Sequence, residues 1–187
     1  MIEFKNVSKS YQREVVKDLS FSLEDGKSLA IFGPSGMGKS TILKLILGVE
    51  KPSSGNIYNS YAKPSIVFQE NRLIEEISAL DNLRMISDDT SLIRESLAKF
   101  AIYDFDNKLI SKFSGGMKRR VPLARAYVHG GDYLVMDESF YGLDYNNKVI
   151  ASDLLKDKFI GQTKIIVSHN KEDFKLMDIE DDIIINL

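Results

Sequence analysis

The stretch Gly33, Pro34, Ser35, Gly36, Met37, Gly38, Lys39, Ser40 and Thr41 constrains this chain more than any other, because it fits the pattern G-x-x-x-x-G-K followed by Ser or Thr. Its surroundings fit as well. Ser28 to Phe32 is a compact apolar run that reads as a strand, and Ser40 to Leu47 reads as a helix that Gly48 stops. Strand, glycine-rich loop and helix in that order make a phosphate-binding loop. The glycines let backbone N–H groups converge on phosphate oxygens, and the helix N-terminus adds favourable dipole charge. Lys39 is placed to reach the outer phosphates, and the Ser40 hydroxyl to ligate Mg2+. An ordinary glycine-rich turn is the competing reading, and the strand-to-helix context argues against it.

A second chemical signal lies at Tyr133 to Glu138, where an apolar strand read from Tyr133 to Asp137 ends in two carboxylates. At the carboxyl edge of a sheet these acids would stand beside the phosphate loop. Asp137 is then suited to hold Mg2+ through water, and Glu138 to polarise an attacking water. A third signal is Ser114, Gly115 and Gly116 before a helix expected from about Lys118, with Ser114 a common helix start. Lys118, Arg119 and Arg120 crowd that start, where the dipole disfavours cations, so a nearby anion would relieve them. Pro122 is expected about four residues into this helix, where a missing N–H is tolerable.

The remaining pattern supplies the frame. Ile2 and Phe4, then Leu19, Phe21 and Leu23, alternate as in antiparallel strands. Short strands follow around Pro52, Gly55 and Pro64, the last from Ser65 to Phe68. From Gln69 to Ser114 the spacing turns helical, with Ile93, Leu97 and Phe100 on one face and Ser91 as a cap. A helix from about Tyr145, a strand Lys164 to Ser168 and a final strand Asp182 to Leu187 complete the alternation, which implies a mainly parallel sheet covered on both faces.

Composition closes off several function classes. At 187 residues with 43 % hydrophobic and 28 % charged, the chain suits one globular domain. A net charge of -2 lacks the basic excess that nucleic-acid binding uses. Without cysteine there is neither a disulfide framework nor a thiolate zinc site. No apolar run approaches the roughly 20 residues that span a bilayer, and Glu3 and Lys5 interrupt anything like a signal peptide, so a membrane role has to come through a partner.

In this order the motifs resemble the nucleotide-binding domain of ATP-binding cassette (ABC) proteins, over essentially the whole chain. The resemblance implies an α/β, P-loop NTPase fold: a mainly parallel sheet flanked by helices, an N-terminal antiparallel β subdomain and a short helical insertion at about 69–118, all in a single domain over 1–187. It implies that Gly33 to Ser40 is the Walker A loop, Tyr133 to Glu138 the Walker B strand, and Ser114 to Met117 the signature usually written L-S-G-G-Q. By the same resemblance Tyr11 stacks on adenine, Gln69 is the Q-loop glutamine, Gly142 to Asp144 is the D-loop and His169 is the switch histidine.

The implied roles follow residue by residue. Glu138, His169 and Gln69 serve catalysis, and Ser40, Gln69 and Asp137 surround Mg2+. Tyr11, the loop from Gly33 to Thr41, and Ser114, Gly115 and Gly116 contact ATP. The implied protein hydrolyses ATP as a dimer of cassettes, identical or different, beneath transmembrane permease subunits, peripheral on the cytoplasmic face of the cell membrane, with no nucleic acid. Met117, Phe113, Ser139 and Pro122 depart from the family's usual residues, while Phe68 to Leu73 and the run after Met117 are similar to importer ATPases for nitrate, sulfonate and taurine. His129, before Gly130 and Gly131, reads as a surface or packing histidine. A cytosolic ABC protein acting on nucleic acid or as a regulator is the alternative.

Overall fold

A computed structural model describes residues 1–103, 105–179 and 183–187. Ile2–Ser10 (β1), Glu14–Leu23 (β2) and Ser54–Asn59 (β4) form an antiparallel sheet in the order β2, β1, β4. A second sheet holds Ser28–Phe32 (β3), Pro64–Val67 (β5), Tyr133–Asp137 (β6), Lys164–Ser168 (β7) and Ile183–Asn186 (β8). Its order is β5, β6, β7, β3, β8, and all of its pairs are parallel. The expected final strand is therefore present from Ile183; Asp182 lies outside the described residues.

The central strands are almost continuously apolar because helices or the second sheet cover both of their faces. Alternation along each strand sorts its side chains into two cores. Ala30, Leu134, Met136 and Ile166 face one, built with the helices Ala79–Arg84 (α2), Thr90–Lys99 (α3), Gly115–His129 (α4), Tyr145–Lys158 (α5) and Lys171–Leu176 (α6). Leu29, Ile31, Val135, Ile165 and Val167 face the other, with Lys39–Ile46 (α1) and the antiparallel sheet.

Register fixes where the chemistry sits. Phe32 pairs with Ser168 and Asp137 with Val167, while Val67 pairs with Met136. The residues that follow these strand ends are Gly33, His169, Glu138 and Phe68, so one edge of the sheet receives the phosphate loop, both acids, the histidine and Gln69 together.

Several expectations shift. The cap of α3 is Asp89, whose side chain accepts from the Leu92 N–H, and not Ser91. Helix α4 begins at Gly115 and not near Lys118, because Ser114 caps it by accepting from the Met117 N–H at 3.2 Å. Pro122 is consequently an interior helix residue rather than one of the first turn; it is buried, and the helix runs on to His129. The short helix α6, capped by Asn170, had no counterpart in the sequence pattern.

Candidate functional site

The phosphate loop is held open by its glycines. Gly38, at φ 101°, caps α1, and a β-carbon there would stand 2.9 Å from the Val15 carbonyl oxygen of β2. Of the six α-helices in the described residues, α1 is the one whose N-terminus receives no side-chain cap; α2 to α6 are capped by Ser78, Asp89, Ser114, Asp144 and Asn170. Its first turn also lacks an acid. The leading N–H groups of α1 are thus directed at a cavity of about 280 Å³ that Val15, Ser35, Gly36, Gly38, Lys39, Ser40, Thr41, Gln69 and Glu138 line.

Lys39 is 5 % exposed, and its ammonium donates to the carbonyls of Gly33 at 2.7 Å and Pro34 at 3.0 Å. Its third direction meets Glu138 at 3.4 Å. Glu138 is itself buried and sits at φ 46°, a left-handed conformation that costs a non-glycine residue about 1–2 kcal/mol. That turn aims its carboxylate at both Lys39 and the Nδ1 of His169, 3.2 Å away. Two residues from separate elements, Lys39 at the start of α1 and His169 after β7, therefore converge on one buried carboxylate. Tyr141 lies beside them, its ring centroid 6.3 Å from that of His169.

Asp137 lies just behind. Burial, and then the neighbouring Glu138 charge, push its carboxyl above the usual range, while Lys39 and Arg72 pull it back. With Ser40 and Gln69 it borders a second cleft of about 230 Å³ adjoining the first. A destabilised carboxylate grouped with a hydroxyl and an amide oxygen is a hard-oxygen donor set that suits Mg2+. Ser139, the departure after Glu138, has a local use: its buried hydroxyl donates to the Val67 carbonyl at 3.0 Å and stitches β6 to β5.

Other singled-out residues lie apart. Tyr11 is 53 % exposed, with its hydroxyl donating to Glu50 and the Lys9 ammonium 5.0 Å from its ring centroid; Val15 forms the cavity wall on that side. Ser114, Gly115 and Gly116 lie at the start of α4, outside the lining of the Lys39 cavity. Neither glycine has a positive φ, and a β-carbon on either would meet nothing within 4 Å. Met117 and Phe113 pack against the helical core. His129 ends α4, where burial and then Lys63 push its imidazole below the usual range.

The basic run after Met117 does not wait for a single anion. Lys118 pairs with Glu75 at 2.8 Å, whereas Arg119 donates to the Gln69 carbonyl. Arg120 donates to the carbonyls of Phe100 at 3.1 Å and Ala101 at 2.9 Å, which end α3, so its charge meets the favourable end of another helix dipole. Arg119 also lies 5.8 Å from the Tyr141 ring centroid and ties α4 to the loop of Gln69. The crowding of cations was the visible sign of these contacts, but their carbonyl partners are distant in sequence.

Comparison with known proteins gives the arrangement its relatives. The sequence pattern of the family described as ABC transporter matches residues 16–141. The spermidine/putrescine import ATP-binding protein PotA of Mycoplasma capricolum is 34 % identical over 92 % of this chain and 55 % of its own length. The taurine import ATP-binding protein TauB of Pseudomonas aeruginosa is 30 % identical over 87 % of this chain and 68 % of its own. The chain thus spans about half the length of the PotA relatives it matches. Among solved structures, the dimeric, post-hydrolysis ATP-binding cassette MJ0796 bound to ADP and Pi superposes with a TM-score of 0.85 at 26 % identity, over 100 % of this chain and 94 % of that one. With the family pattern covering more than half of its residues and a cassette of known structure matched along its entire length, the chain belongs to the ABC transporter family.

Proposed function

We propose that this chain binds and hydrolyses Mg2+-ATP as the nucleotide-binding subunit of an ABC transporter, over a single ATPase domain spanning 1–187 with its helical insertion at about 69–118. The observation that carries the reading is the convergence of Lys39 and His169 on the buried Glu138 at the mouth of an uncapped helix. The loop N–H groups and Lys39 hold the outer phosphates, and Tyr11 offers a ring to the base. Glu138 accepts a proton from, or orients, the attacking water, while the His169 ring nitrogen holds that carboxylate in place. Ser40, Gln69 and Asp137 would hold Mg2+, which supplies charge neutralisation across the phosphates.

A second cassette completes the site in this reading. Gly115 and Gly116 answer no demand of their own chain, since neither needs a positive φ nor faces a close neighbour. Bare backbone at a helix start suits close approach by the nucleotide of a partner cassette, with Ser114 at the same cap. MJ0796 also forms a dimer. In this reading the transport path belongs to permease subunits, with this chain on their cytoplasmic face; among the described residues no helix is long and apolar enough to cross a membrane. PotA and TauB are import proteins by name, which supports import here; the two names give different cargoes, and neither is carried over.

Two experiments test the reading. Lys39→Ala should abolish or severely weaken Mg2+-ATP binding measured by calorimetry, and unchanged affinity would contradict the phosphate-loop assignment. Tagged protein recovered from membranes should bring integral membrane subunits with it. Recovery only from the soluble fraction, with ribosomes or DNA, would contradict the transporter assignment.

A further inference from the structure

His169 owes its position to more than its own contact with Glu138. The preceding Ser168 is 2 % exposed, and its hydroxyl accepts from the Asn170 N–H at 3.0 Å while donating to Asp173 at 2.6 Å. The turn that carries His169 is thereby closed on both sides by one buried hydroxyl. Asp173 is 5 % exposed, and its other oxygen receives the ammonium of Lys148 at 3.1 Å. Lys148 lies in the first turn of α5, where the helix dipole disfavours a cation, so the ion pair offsets a placement that is otherwise unfavourable. Its backbone N–H returns to the carbonyl of Asp144, the residue that caps α5 and ends the Gly142 to Asp144 loop.

We propose that Lys148, Asp173 and Ser168 are positioning residues that hold His169 against Glu138 and tie that contact to the Gly142 to Asp144 loop. The path is continuous and short: Asp144 to Lys148, Lys148 to Asp173, Asp173 to Ser168, then along the backbone to His169 and across 3.2 Å to Glu138. A displacement of the Asp144 loop moves the first turn of α5, and the largely desolvated Lys148–Asp173 ion pair, continued by the buried Asp173–Ser168 hydrogen bond, passes that movement on. The same helix supplies an internal control. Lys156 bridges Asp153 and Asp178 at 3.1 and 3.2 Å, linking α5 to the residues after α6 without touching Ser168.

The chain contains two histidines, so a His129→Gln background leaves the His169 imidazole as a single resolved pair of 15N resonances. In that background Lys148→Met and the milder Ser168→Ala should both move the His169 resonances, whereas Lys156→Met should leave them in place. Unmoved resonances in folded Lys148→Met and Ser168→Ala proteins would overturn the proposal, and this arm needs no ATPase activity. The kinetic arm rests on the function proposed above. Lys148→Met should lower kcat about 10-fold with KM for ATP changed by less than about two-fold, as expected when a reacting group is misplaced but binding is intact. In a His169→Ala background the same substitution should cost nothing further. An equal fall of kcat in both backgrounds would mean that Lys148 does not act through His169, and would overturn the proposal whatever the resonances do.

Discussion

Gly116→Ala should make the protein more stable and a poorer ATPase. Gly116 lies in the first turn of α4 with an ordinary helical φ, and a β-carbon there has open space within 4 Å. Glycine in a helix is about 0.8–1 kcal/mol worse than alanine. The position is near a helix end, so about half of that is recovered, which raises Tm by about 1–2 °C for a chain of this size. The same methyl group enters the gap proposed to receive a nucleotide on the partner cassette. Overfilling a close contact costs about 1–3 kcal/mol, or about 5- to 150-fold in the cooperative rate. Scanning calorimetry and steady-state ATPase assays on one preparation read both effects. A lower Tm would mean that the fold itself requires glycine at this position. A higher Tm with parental turnover would mean that no nucleotide approaches Gly116, and the sandwich arrangement would fail.

Ser139→Ala removes the buried hydroxyl that joins β6 to the Val67 carbonyl, and should cost about 1 kcal/mol in chemical denaturation with ATP affinity retained; no loss would contradict that structural role. The Glu50 carboxylate, ordinarily titrating near 4.5, is lowered to about 2, chiefly by the Tyr11 hydroxyl and then by Lys9 and Lys44. A carboxylate whose folded-state value is lowered adds stability above its ordinary value and loses it as pH falls through the folded one. Glu50→Gln should therefore flatten the acid limb of the stability profile between pH 4.5 and about 2, and an unchanged limb would contradict the contact.

The parts of this fold legible from sequence were those set by burial. Strands Ser28–Phe32, Tyr133–Asp137 and Lys164–Ser168 agree with expectation residue for residue, because a central parallel strand must be apolar throughout and polar residues mark its ends. What escaped was decided by competition or by distance. Helix α4 starts earlier than expected because the Ser114 cap outweighs the poor helix propensity of Gly115 and Gly116. Ser91 was expected as the cap of α3, and Asp89 takes that place because cap preference does not separate Asp from Ser and the backbone path decides. Helix α6 has only six residues, too few to display a period. In the site, Lys39, Glu138 and His169 were each identified by type and place, and the strand register that unites them follows from topology. The carbonyl partners of Arg119 and Arg120, and the Lys148 to Asp173 pair, depend on tertiary contacts that no local pattern encodes.

In the proposed mechanism, ATP held by the Lys39 loop is hydrolysed through Glu138. Glu138→Gln keeps the shape of the side chain and removes its charge, and loss of a general base typically costs about 10² to 10⁴ in rate, or about 3–5 kcal/mol. Single-turnover hydrolysis of Mg2+-ATP by the parent and by Glu138→Gln, with affinity measured in parallel, tests it most directly. Binding should be retained with turnover reduced by at least about 10²-fold; turnover at the parental rate would contradict the role of Glu138.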